Sequence, residues 1–192
     1  MKVQFGISNL HVGTYTETVT TQGTSIVMGT PYHQKGAVGF SPDTESNQND
    51  FYADDIVYWS GYSGGKIEGD LECAMFDDTF KKNFLGYKEL TNGALAVVKN
   101  PVKPNVYVCF EVQTDEEHPI RVMFYNCTLG NISREYSTIT ENKEPQTASI
   151  PVTCVGDNQT GVTMAVFQYG DSGYANLFTA PTAPVIATEY SK

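Results

Sequence analysis

The dominant spacing of apolar residues in this chain is two, and Val, Tyr, Phe and Thr are enriched in the alternating runs. A period of two sends successive side chains to opposite faces, and β-branched and aromatic residues suit a pleated surface, so strands should dominate. Val3, Phe5 and Ile7 alternate with polar neighbours, and a second short run follows from Leu10 to Thr16. Further strands are expected at Ser25 to Gly29 and Gly36 to Phe40. The clearest is Lys66 to Met75: Ile67, Leu71, Cys73 and Met75 share one face with Gly69 between them, while Lys66, Glu68, Asp70 and Glu72 share the other. Val106, Val108, Phe110 and Val112 form a face that the acidic stretch Asp115 to Pro119 reverses onto Ile120, Val122 and Phe124. Alternation resumes at Ala148, Ile150, Val152 and Cys154, where Pro151 points to an edge or a bulge, and again from Gly161 to Tyr169.

One segment breaks this period convincingly. Phe76, Phe80 and Phe84 recur every four residues behind Asp77 or Asp78, either of which can cap a helix, and Gly86 is placed to stop it. Asn92-Gly93 marks a tight hairpin turn, and Tyr174 to Phe178 reads as a short helical turn. Ser41 to Asp55 is polar and acidic and reads as a long exposed loop, a length usually reserved for function. The expected architecture is mainly β. It is a single sandwich or barrel-like domain over residues 1–180 with one flanking α-helix, a long loop, and an extended C-terminal tail over 181–192.

Composition narrows the function. Of the 192 residues, 40% are hydrophobic and 18% charged, and the net charge is −10. That balance supports a packed core and opposes gripping nucleic acid by its phosphates, which takes clustered Lys and Arg. No apolar run approaches the roughly 20 residues of a membrane span, so no membrane anchor is expected. Met1 to Leu10 lacks the apolar stretch of a signal peptide. Cys73, Cys109, Cys127 and Cys154, far apart and each on a strand, are therefore read as reduced, buried thiols made in a cytosol.

No catalytic, cofactor-binding or metal-binding set is expected. Glu68, Asp70 and Glu72 place three carboxylates on one strand face, which paired acids could use on glycosidic bonds, but a solvated face accounts for them as well. His11, His33 and His118 fall in unrelated segments. Asp43-Thr44-Glu45 begins like a calcium loop, yet Gln48 stands where its sharp turn needs Gly. Tyr58, Trp59 and Tyr62 suit either stacking on sugars, as in a glycan-binding β-sandwich module, or burial in a subunit interface.

Several segments together resemble the major tail protein, or tail tube protein, family of long-tailed bacteriophages. They are Asn9-Leu10-His11, Phe51-Tyr52-Ala53-Asp54-Asp55, Gly64 to Glu72, Phe84-Leu85-Gly86-Tyr87, Arg121 to Cys127, and Glu144-Pro145-Gln146-Thr147, in the family's order from about residue 3 to 180. The resemblance implies a β-sandwich flanked by a helix that assembles into hexameric rings stacked as a tube. A tape-measure protein fills that tube before double-stranded DNA passes through it, without specific binding, during genome ejection. It implies a structural protein of the virion tail, assembled in the host cytoplasm, and not an enzyme. On this reading Phe51, Tyr52, Asp54, Asp55, Tyr58 and Trp59 lie at subunit or ring contacts, and Glu68, Asp70 and Glu72 line the lumen. Six copies at −10 would give a ring of −60, a wall along which DNA slides without sticking.

Overall fold

Val106 to Phe110 is buried at every position, on both faces of the strand, which an alternating pattern does not announce. The computed structural model explains this by packing a core on each side of a central strand pair. It describes residues 3–21, 23–44, 47–53, 56–63, 66–136, 138 and 146–187, with the side chains of residues 20 and 47–63 outside the described set. The first half runs β1 (Gln4–Thr20), β2 (Gly23–Met28), β3 (Tyr32–His33), β4 (Ala37–Thr44), β5 (Asn47–Ala53), β6 (Ile56–Ser63), β7 (Ile67–Cys73) and the helix α1 (Asp78–Phe84). The second half runs β8 (Lys88–Glu89), β9 (Leu95–Ala96), β10 (Val106–Thr114), β11 (Ile120–Leu129), β12 (Ser133–Arg134), β13 (Ala148–Cys154) and β14 (Met164–Phe167).

The main sheet has the order β2-β1-β10-β11-β13-β7-β4, with β3 on β1, β12 on β13 and β14 on β11. Its ladders are antiparallel. β4 swings back towards β1 without a described ladder joining them, so the sheet curls but stays open. Inside the curl lie Leu10, Val12, Leu71, Val108, Phe110, Phe124, Ile150 and Val152, with Phe76, Phe80 and Phe84 covering them. Each of those phenylalanines contributes on the order of 1.5–3 kcal/mol by leaving water. On the outer face of β1, β10 and β11 a second core gathers Tyr15, Tyr107, Cys109, Met123 and Tyr125 beneath Leu177.

The helix is capped as its sequence implies. Asp77 accepts a 2.7 Å hydrogen bond from the Phe80 amide, and Gly86 follows the helix at φ +68. At Gly86 an added Cβ would lie 2.7 Å from the Val102 carbonyl oxygen, so both backbone angle and space require glycine there. Asn92-Gly93 turns β8 into β9, with the Leu90 amide donating to Ala94 O at 2.8 Å.

Five expectations change. The two runs at Val3 to Thr16 are one strand interrupted by a bulge: three residues from Ser8 to His11 span two on β10, and Asn9 sits at φ 56. Pro151, expected at an edge or a bulge, marks no edge, since β13 pairs with β7 along its length. It does sit at an irregularity, where the step from Leu129 to Ser133 is one residue longer than that from Val152 to Ser149. Its carbonyl accepts from Gly130 N at 2.7 Å in the gap between the β12 and β11 ladders, where its missing N–H interrupts nothing. Met75, expected in the core, is 63% exposed because the strand ends at Cys73 and the chain turns towards α1. Cys127 and Cys154 form a disulfide, brought opposite one another by the β11–β13 register, whereas Cys73 and Cys109 are free and buried as expected. Finally, the Ser41 to Asp55 loop is largely strand: residues 41–44 continue β4, and residues 47–53 form β5.

Candidate functional site

The acidic row stands where the alternation of β7 puts it. Ile67, Leu71 and Cys73 are buried, and the intervening carboxylates turn to the outer face of the sheet. Glu68 lies opposite Asp43 on β4 and Thr153 on β13, Asp70 opposite Ser41 and Pro151, and Glu72 opposite Gly39 and Ser149. The neighbours are therefore small or polar, and the face is a shallow acidic groove closed at one side by Ser133, Arg134 and Thr147. Thr147 donates a short hydrogen bond to Glu72, and Thr153 donates to Glu68 at 3.2 Å. Lys66 Nζ sits 2.7 Å from Glu68 Oε1, and this hydrogen-bonded ammonium holds the Glu68 carboxyl below the usual glutamate range. Glycosidic hydrolysis needs one acid kept protonated near neutral pH. Glu68 is displaced the other way.

Beyond β4 and β7 the chain continues as a ribbon. β5 and β6 pair only with each other among the described residues and form a sheet of their own. The ladder between β4 and β7 ends at Thr44 opposite Ile67, and the ribbon begins at Asn47 opposite Ser63, so the second hairpin is nested on the first. Phe51 pairs with Trp59 and Tyr52 with Val57, with a register shift between them, and Tyr58 lies within that shift. The register thus brings four of the six expected contact residues to one end of the ribbon. Asp54 and Asp55 lie outside the described residues, as do the side chains of the other four.

A cluster that the sequence leaves scattered comes together on the outer face of β1. The β1–β3 register sets His11 against His33, and their rings stack at 4.7 Å. On its other side His11 stacks on Phe178 at 4.6 Å. The Arg121 guanidinium lies 4.5 Å from the centre of the Phe178 ring and 4.1 Å from that of Tyr174, and it pairs with Glu111 at 2.9 Å. Burial pushes the His11 imidazole below its ordinary value of 6.5; the Asn9 carbonyl, 2.9 Å from Nδ1, and Glu111 oppose this, and the charges of His33 and Arg121 add to it. Tyr174 carries the contacts on to Tyr169, which stacks on His118 at 3.6 Å. No local spacing signals this arrangement, because it depends on β3 pairing with β1 and on a C-terminal segment folding back.

No family model and no curated protein matches the chain. Among solved structures it is similar to a chain in the cryo-EM structure of the anti-feeding prophage cap, described as the AFP tube terminating cap. The TM-score is 0.47 at 10% identity, over 86% of this chain and 93% of that one. It is also similar to a chain of the six-fold symmetrised anti-feeding prophage baseplate, with a TM-score of 0.42 at 8% identity, over 84% of this chain and 94% of that one.

Proposed function

We propose that this chain is a structural subunit of a phage-tail-like particle, and within that class a tail tube protein that assembles into stacked hexameric rings. The observation that carries the reading is the β5–β6 ribbon, which forms a sheet separate from the body. An isolated two-stranded hairpin is marginal in water, and one bearing Phe51, Tyr52, Tyr58 and Trp59 gains stability by meeting another surface. The tail-protein-like segments of the sequence support the same reading, since Phe51 to Ala53 of one fall within this ribbon and another, Gly64 to Glu72, contains the acidic row. In the assembly, residues 1–180 form the packed domain and 181–192 an extended tail. The ribbon reaches a neighbouring subunit or ring, and Glu68, Asp70 and Glu72 face the lumen through which DNA passes. A tape-measure protein and other tail proteins are its partners, in the host cytoplasm during assembly and in the virion tail afterwards.

Negative-stain electron microscopy of the purified chain, without ligand, tests this. Rings or tubes are expected from the full chain. A variant with residues 47–63 replaced by a two-residue Asn-Gly turn should remain a folded monomer by circular dichroism and form neither. Rings that persist in the variant would remove the ribbon from the contact. A chain that stays monomeric and binds a glycan array would replace the whole reading with a sugar-binding module.

A further inference from the structure

We propose that the stacked rings of His33, His11 and Phe178 form a pH-operated clasp that holds the segment 171–180 on the sheet and releases it in mildly acidic solution. The inference stands on contacts within one chain and does not rest on the assembly reading. The segment is anchored by Tyr174, buried beneath the Arg121 guanidinium, and by three further contacts. Leu177 enters the second core, the Tyr174 hydroxyl donates to Pro119 O at 2.9 Å, and Arg121 donates to the Tyr174 carbonyl. Phe178 is held between two nitrogenous planes, the His11 imidazole on one side and the Arg121 guanidinium on another.

The charges around His11 decide what a proton does there. His33 faces it from β3, Cys109 and Glu111 stand on β10, and Arg121 stands on β11. The Cys109 thiol, pushed up to about 12 by burial, stays neutral and offers nothing. Glu111 already accepts from both Nε and Nη2 of Arg121, at 3.0 and 2.9 Å, so its charge is largely answered. A protonated His11 therefore keeps the Asn9 carbonyl, which accepts from Nδ1 at 2.9 Å, and one engaged carboxylate in its favour, against burial and the repulsion of His33 and Arg121. Attraction between His11⁺ and the Phe178 face opposes release, but Arg121 already occupies that ring. The sign follows directly. Lifting Phe178 off His11 re-exposes the imidazole while His33 and Arg121 stay on the sheet, so the released state gains protons first as pH falls, and clasping weakens there.

Hydrogen exchange read by mass spectrometry, corrected for the intrinsic pH dependence, tests this on the full chain. The reporting amides are Leu177, Thr179 and Ala180, bonded to Tyr174 O and Asn176 O inside the segment. Between about pH 7.5 and about pH 5 their protection should fall on the order of tenfold, while amides across the β10–β11 ladder hold. His11→Phe keeps a ring against Phe178 and removes the proton, so the fall should vanish. His33→Gln, at an exposed position that a failure of the first variant to fold would leave available, should cut it to a few-fold or less. No fall in the natural chain would overturn the clasp. So would an equal fall in the β10–β11 amides, or a fall unchanged in His33→Gln.

Discussion

Asp157 keeps its charge at 2% exposure, in a loop that closes over the outer core. Tyr15 donates to its Oδ1 at 2.7 Å, and the amide and hydroxyl of Thr160 both donate to its Oδ2 at 2.6 Å. Burial alone would raise its carboxyl, but these hydrogen bonds outweigh burial and hold it below the ordinary aspartate value. A carboxyl depressed in the folded state gives stability that is complete above the unfolded value of 3.8 and drains away as pH falls through the lower folded value. Asp157→Ala should cost about 1–3 kcal/mol in urea unfolding at neutral pH, by stranding Tyr15 and Thr160. The same variant should lose stability less steeply in acid than the natural chain, and an identical acid slope would contradict the assignment. Cysteine chemistry gives a second check at this scale. Thiol titration in denaturant should find two free thiols before reduction and four after, because Cys127 and Cys154 are bonded. Their separation of 27 residues makes the bond worth about 3–4 kcal/mol by loop closure. Four thiols without reductant would disprove it.

At the scale of elements, α1 depends on Asp77, the residue that caps it, more than its short length suggests. Asp77 both caps the helix and accepts a 2.7 Å hydrogen bond from the Tyr32 hydroxyl, so one carboxylate ties α1 to β3. Asp77→Ala should destabilise by about 1–2 kcal/mol, and Tyr32→Phe by about 0.5–1.5 kcal/mol. Because both remove the same Tyr32–Asp77 bond, the double variant should cost less than the sum of the two, measured as a double-mutant cycle; full additivity would refute the link. What could be read from sequence among these elements was what local chemistry decides. The Asp77 cap, the Phe76-Phe80-Phe84 stripe, the Asn92-Gly93 turn and the β10–β11 hairpin are each determined within a few residues of themselves. Partners chosen at a distance could not be read. Asn47 to Asp50 reads as loop because Asn, Gln and Asp are poor strand formers, and only pairing with Ser60 to Ser63 of β6 makes them strand. Asn9 and Asn126 look alike in sequence to any surface asparagine, yet both take positive φ at bulges, at 56 and 49. Asn126 sits where β11 exchanges β14 for β13 as its neighbour. The acidic row was legible from its alternation, and the histidine stack was not, since it waits on two long-range contacts.

For the whole molecule, charge is the property that an assembly would multiply. Replacing Glu68, Asp70 and Glu72 by Lys changes three charges by two each, taking the chain from −10 to −4. Position 68 would then carry the same charge as Lys66, at a half-buried strand position where the pair's own contribution is modest. In assembled tubes whose lumen bears this row, DNA delivery should fall and become dependent on salt, because phosphate would now be held. Delivery unchanged, with only the outer surface charge altered, would place the row on the outside. The strand order itself has a consequence in time. β1 lies between β2 and β10, so the register that pairs Gln4 with Thr114 joins the first strand made to one that emerges about a hundred residues later. At ribosomal speeds of roughly 5–20 residues per second that is a wait of about 5–20 s. Throughout it Leu10 and Val12 lack the half of their core that Val108, Phe110, Phe124, Ile150 and Val152 supply, and the edge of β1 that β10 will take stands open to any other nascent chain that passes.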